Sequence, residues 1–175
     1  ADHYSYGIGG IFGYARIGGD VQVRDCSNHA QVTGNLFTGG IGGRMTSDYA
    51  VPLSLNASGI VDCENDGLIL CAETAAKDEA EAQLEGRYFG GILGYGSHVR
   101  IVTSSSASGR AAGYRYSGAQ RENVLLGQYV GGIVGYGNVC RLSGCSTKNG
   151  GFILGSDYVG GIAGGLSNDI QYAIT

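Results

Sequence analysis

The chain has 175 residues, a net charge of −4, 34 glycines, one proline, five cysteines and no tryptophan. That length suffices for one domain with a real core, and a hydrophobic share of 43% argues against disorder. Its Lys and Arg are scattered, which excludes a basic run for nucleic acid or an anionic membrane. No apolar stretch reaches the ~18 residues of a membrane span, and without a G-X-Y period collagen is excluded.

In chain order, the first element is "GIGGIFGY" (7–14), which mixes strand formers with glycine, a strand breaker. The strand-like "VRDCSNHAQV" (23–32) follows, and the pair then recurs as "FTGGIGGR" (37–44) with "IVDCENDGLI" (60–69). Residues 72–85, "AETAAKDEAEAQLE", lack β-branched runs, carry the i, i+4 pair Glu73 and Lys77, and end at Gly86; this predicts a short helical insertion near 70–87. The pattern returns at "YFGGILGY" (88–95) and "IVTSSSASGR" (101–110), with Ser104 in place of cysteine. An insertion near 105–124, around "ASGRAAGYRYSGAQREN" (107–123), reads as a long loop or hairpin presenting Arg110, Tyr114, Arg115 and Tyr116. "YVGGIVGY" (129–136), "LSGCSTKNGG" (142–151), "GFIL" (151–154) and "YVGGIAGG" (158–165) complete five copies of a Gly-Gly-Ile repeat.

The first glycines of the pairs, Gly9, Gly39, Gly90, Gly131 and Gly160, are 30, 51, 41 and 29 residues apart, so the basic unit is 29–30 residues. A fixed period of this size implies stacked supersecondary units. About three short strands per unit with no helix between them predict an all-β chain, a single parallel β-helix (β-solenoid) domain over 1–175. Right-handed winding is the default for parallel crossovers. Ile11, Ile41, Ile92, Ile133 and Ile162 fall in one column and are the expected inward ladder. Alternation places Ile133 on one face and Val130 and Val134 on the other, and the variable column of Phe12, Gly42, Leu93, Val134 and Ala163 outward or against a covering insertion. Phe37, Tyr88, Tyr129 and Tyr158 should form an aromatic stack.

Candidate chemistry is sparse. Asp62, Glu64, Asp66, Gly67 and Glu73 occupy positions 1, 3, 5, 6 and 12 of a calcium-loop pattern. A Glu at position 3 and the match of this segment to "DCSNHAQV" favour a solvated acidic turn, so no cofactor is expected. Cys26, Cys63 and Cys145 share a column, as expected of stacked small hydrophobes; Cys63–Cys71 and Cys140–Cys145 are candidate disulfides. Asp25 and Asp62 also share a column, the one carboxylate pair a polysaccharide-cleaving β-helix could use. No catalytic residues are assigned, and "GIGGIFG" is not a phosphate loop, since no helix follows and the motif recurs.

The recurring "YVGGIVGY…C…G" resembles the GLUG-motif repeat of bacterial surface proteins, a family that includes adhesin-like proteins and the N-terminal regions of immunoglobulin A-cleaving metallopeptidases. The resemblance covers nearly the whole chain outside the two insertions. It implies an extracellular or cell-surface, non-catalytic repeat module. The peptidase activity needs HExxH, and His3, His29 and His98 stand in no such context. The expected function is therefore an adhesive stalk or spacer whose partner is a host or cell-surface protein or glycan, not nucleic acid and not a membrane interior. The alternatives are a head-to-tail self-assembling filament subunit and, third, a polysaccharide-acting enzyme. The abrupt start at "ADHYSYGIGG" reads as a mature product or a piece of a larger protein.

Overall fold

The computed structural model describes residues 7–18, 21–47, 58–71, 86–102, 105–106, 109–110, 115–117, 120–122, 127–148 and 153–168. The predicted helix over 72–85 lies outside them. Among the described residues every regular element is a strand, and none is a helix long and apolar enough to cross a membrane.

Each full copy of the repeat supplies five strands. The first copy holds β1 (Ile8–Gly9), β2 (Phe12–Ile17), β3 (Gln22–Arg24), β4 (Ser27–Asn28) and β5 (Val32–Gly34). The second holds β6 (Leu36–Gly39), β7 (Gly42–Ser47), β8 (Gly59–Val61), β9 (Glu64–Asn65) and β10 (Ile69–Cys71). The third holds β11 (Arg87–Gly90), β12 (Leu93–Ser97), β13 (Arg100–Val102), β14 (Ser105–Ser106) and β15 (Gly109–Arg110), then a hairpin of β16 (Arg115–Ser117) and β17 (Gln120–Glu122). The fourth holds β18 (Gln128–Gly131), β19 (Val134–Asn138), β20 (Arg141–Ser143), β21 (Ser146–Thr147) and β22 (Ile153–Leu154), and the fifth holds β23 (Asp157–Gly160) and β24 (Ala163–Ser167).

Equivalent strands pair with one another in parallel. The first and second positions form five-stranded sheets, β1-β6-β11-β18-β23 and β2-β7-β12-β19-β24. The third and fourth form the four-stranded sheets β20-β13-β8-β3 and β21-β14-β9-β4, and the fifth forms the pairs β10-β5 and β15-β22. Only β16 and β17, within the region read as a loop or hairpin, pair antiparallel among the described strands. Five strands per copy replace the expected three. Segments as short as Ser27–Asn28 are too brief to show an alternating pattern.

The extra chain is distributed differently from the sequence reading. In the third copy β14 and β15 keep their places in the stack, so the departure begins after Arg110. In the second copy Leu70 and Cys71 are still strand, and residues 48–57 add a second lengthening between β7 and β8, where the third copy has only His98 and Val99.

The Gly-Gly-Ile motif is a corner and not a continuous strand. Gly132 and Ile133 form a bend between β18 and β19. The main chain stays satisfied through it, because one carbonyl serves two donors: Ile133 N and Val134 N both donate to Ile162 O, at 2.9 and 3.0 Å. Because the chain turns there, alternation does not carry across. Ile133 and Val134 both enter one core, with Ile41, Ile92, Leu93, Met45, Ile60, Val99 and Ile101, and the expected outward placement of Leu93 and Val134 is corrected. Val130 and Phe89 instead join a second, smaller core with Val32, Ile69 and Cys71.

Glycine permits the second strand of one copy to lie backbone against backbone on the first strand of the copy before it. A Cβ on Gly135 would stand 2.6 Å from Gly94 O, Phe89 N and Tyr88 C, all main-chain atoms of the copy before it. The same holds at Gly94 against Phe37 and Thr38, and at Gly164 against Tyr129 and Val130. The residue tucked in is the aromatic one, whose φ is positive in every copy that has it: 48° at Phe37, 64° at Tyr88, 56° at Tyr129 and 53° at Tyr158. These residues drop out of the ladder, since Arg87 pairs with Gln128 and Phe89 with Val130 while Tyr88 and Tyr129 bulge. Left-handed backbone at a bulky residue is costly and persists only where packing over-determines it.

Candidate functional site

The bulges set one line of rings along the surface. Phe37 stacks on Tyr88 at 5.2 Å, Tyr88 on Tyr129 at 5.3 Å and Tyr129 on Tyr158 at 4.5 Å, as the sequence predicts. A second line runs beside it on the second strands, where Tyr14, Arg44, Tyr95, Tyr136 and Gly165 are register partners. Tyr95 stacks on Tyr136 at 6.0 Å. The two lines interlock edge to face, with Tyr129 to Tyr136 at 5.1 Å and Phe37 to Tyr95 at 5.3 Å. Such edge-to-face and offset pairs each add about 0.5–1.5 kcal/mol beyond area burial. Tyr14 and Tyr158 remain 50% and 62% exposed, while the rings between them are partly covered by one another. Partial burial among the neighbouring phenols of Tyr158, Tyr88 and Tyr136 raises the Tyr129 hydroxyl above its ordinary pKa.

Arg44 interrupts the second line. Its guanidinium lies 5.5 Å from the Tyr14 ring, 5.3 Å from Phe37 and 5.5 Å from Tyr95. Its Nε is buried without a hydrogen-bond partner. Beside it an open depression of about 260 Å3 is lined by Tyr14, Arg16, Arg44, Thr46, Tyr95 and Ser97, among others. The Tyr14 hydroxyl and Thr46 Oγ1 share a hydrogen bond of 3.3 Å there.

The sequence-predicted residues are separated. Of the isoleucine ladder, Ile41, Ile92 and Ile133 are fully buried, Ile162 is half-buried, and Ile11 at the first copy is 48% exposed. Of the calcium candidates, Asp62 lies in the bend after β8, Glu64 in β9 and Asp66 directly after β9, and Glu73 is outside the described residues. Basic side chains of other copies meet them: Arg24 faces Asp62 at 3.5 Å, the His29 ring lies 3.3 Å from Asp66, and Lys148 binds Asp66 at 2.9 Å and Glu64. No group of three or more metal-ligating side chains forms among the described residues. Arg110 ends β15, Arg115 and Tyr116 lie in β16, and Tyr114 is outside the described residues.

Two buried polar features accompany the core. Asn28 and Asn65 stack inside a corner, where Asn28 Nδ2 donates to Asn65 Oδ1 at 2.7 Å. Each also closes its own turn, Asn65 accepting from Gly67 N at 3.2 Å and donating to Gly67 O at 3.0 Å. The matched asparagines of "DCSN" and "DCEN" carry the sequence signal for this pair. All five cysteines are free thiols, so neither candidate disulfide forms. Burial raises Cys63, and pushes Cys140 up to about 12, which keeps both protonated and inert at neutral pH.

No family model, curated protein or solved structure matches the chain.

Proposed function

We propose that the chain is a parallel β-solenoid, right-handed by the general rule for parallel crossovers, and that it works as a non-catalytic binding stalk of the kind the GLUG-type repeat implies, at a cell surface or outside the cell. The single observation that carries this reading is where the repeat puts its aromatic residues. Among the described residues Phe89 is the one fully buried aromatic side chain and Phe12 packs partly buried against the core, whereas Phe37, Tyr88, Tyr129, Tyr158, Tyr14, Tyr95 and Tyr136 line one face. Aromatic rings enriched on a surface are the usual composition of a recognition patch. Stacked copies supply a stiff support, since the first and second strands of all five copies pair in continuous sheets. The ligand classes are a protein or glycan of another cell. Binding of the intact chain to arrays of glycans and surface proteins tests the reading, with Tyr95→Ser/Tyr136→Ser as control. Retention of a ligand that the control loses is expected; no retained ligand, or equal retention by the control, would sink it.

A second reading, head-to-tail self-association, rests on the two ends. Ile11, Tyr14 and Val21 of the first copy are exposed, as are Tyr158, Val159 and Leu166 of the last. The outer edges of β1 and β23 pair with no strand among the described residues. Light scattering over a dilution series decides it; a monomer at high concentration would exclude filaments.

A further inference from the structure

We propose that the depression beside Arg44 binds a carboxylate-bearing sugar. The first ground is the pattern itself. Tyr14, Tyr95 and Tyr136 occupy the column in three of the first four copies, and the second copy places a guanidinium there instead. Repeat packing alone would be served by another tyrosine, because the rings of that column already stack.

The second ground is the state of that guanidinium. Arg44 is held among Tyr14, Phe37 and Tyr95 by ring contacts, its Nε is buried without a partner, and no carboxylate among the described residues pairs with it. A stacked guanidinium is weakly hydrated and its planar fork is fixed, so less freedom is lost when a carboxylate docks on it.

The third ground is the lining. Thr46, Tyr95 and Ser97 are hydroxyl-bearing residues of the lining, Tyr14 adds a second aromatic ring, and Arg16 adds a second arginine. Hydroxyls beside aromatic surface suit the alternating polar and C–H faces of a pyranose. At about 260 Å3 the space falls below the ~300–1,000 Å3 of drug-sized ligands, so it takes one ring and leaves the rest of a chain in solvent.

This inference stands on the geometry around Arg44 and survives failure of the stalk reading. Only Tyr14 and Tyr95 of the chain's twelve tyrosines line the depression, so binding is read by isothermal titration calorimetry and not by intrinsic fluorescence. Titration with glucuronate and galacturonate is compared with glucose and with sulfate at constant ionic strength. At least one uronate is expected to bind about tenfold or more tighter than glucose and than sulfate. Arg44→Tyr restores the residue the column carries elsewhere and should fold while losing about tenfold or more in uronate affinity. Arg44→Lys should keep part of it. Arg44→Gln is read in place of Arg44→Tyr should circular dichroism show the latter unfolded. No saturation by either uronate, equal affinity for glucose, sulfate binding as tightly, or an unchanged Arg44→Tyr would each overturn the proposal.

Discussion

Gly132 and Gly161 occupy the same position of the repeat, one inside the stack and one in the last copy. A Cβ on Gly132 would overlap Gly161 O and Thr147 Cγ2 and stand 2.9 Å from Ile153 Cδ1. A Cβ on Gly161 would meet nothing within 4 Å. Neither glycine has a φ in the left-handed range, so the backbone itself tolerates alanine at both. Overpacking costs about 1–3 kcal/mol, and a carbonyl of the next copy yields less readily than a flexible side chain. Gly132→Ala is therefore expected to cost about 3 kcal/mol. Gly161→Ala should be neutral or stabilise by about 0.4–1 kcal/mol, through the smaller entropy of its unfolded chain. Urea unfolding followed by far-UV circular dichroism measures both. With a slope of about 2 kcal/mol/M, Gly132→Ala moves the midpoint down by about 1.5 M. Equal losses at the two sites would refute the reasoning, because the corner's own conformation, and not stacking, would then demand glycine.

Three other outcomes follow from the same contacts. Ile133→Ala should cost about 2–5 kcal/mol and Val134→Ala about 1.5–3 kcal/mol by the same assay, since both side chains are buried in one core; Ile11→Ala, at an exposed end, should cost under about 1 kcal/mol. Asn65→Ala leaves Asn28 Nδ2 with Ala30 O as its acceptor and Gly67 N with Asn28 O, but removes the buried donor to Gly67 O, at about 1–3 kcal/mol; a neutral substitution would show that solvent reaches this corner. Burial lowers the pKa of His98, so the fold prefers its neutral form. The stability this confers is whole above pH 6.5 and is lost as the pH falls through the lowered value. The urea midpoint should be lower at pH 5 than at pH 7.5. His98→Asn, which tolerates the φ of 56° there, should shrink that difference, and an unchanged difference would assign the pH effect to other groups.

The parts of the structure legible in the sequence are the ones that recur. The isoleucine column appears in five copies, the aromatic column in four and the cysteine column in three; the rings are found stacked, and Ile41, Ile92, Ile133 and Cys63 share one core with Cys26, Cys145 and Ile162 packed against it. What was misread depends on direction within a copy. A turn at Gly132 and Ile133 breaks the two-residue alternation, and pairs such as Glu64–Asn65 are too short to carry a period. The second lengthening at 48–57 was hidden because only the sum of both additions shows in the spacing from Gly39 to Gly90. Arg44 was visible as the odd last letter of "FTGGIGGR", but its meaning needs the neighbouring rings, which come from three separate strands.

The backbone-on-backbone contact at Gly94, Gly135 and Gly164 also constrains how such a chain can change over time. A side chain introduced into that column must be accepted by the copy against which it packs, so substitution there is judged at an interface and not at a single site. Duplicating a whole copy is judged far more leniently, because its upper and lower faces already match what they meet. Length is thus the easy variable of this architecture and the glycine column the hard one. Lineages of such a protein should differ in how many copies they carry before they differ at these positions.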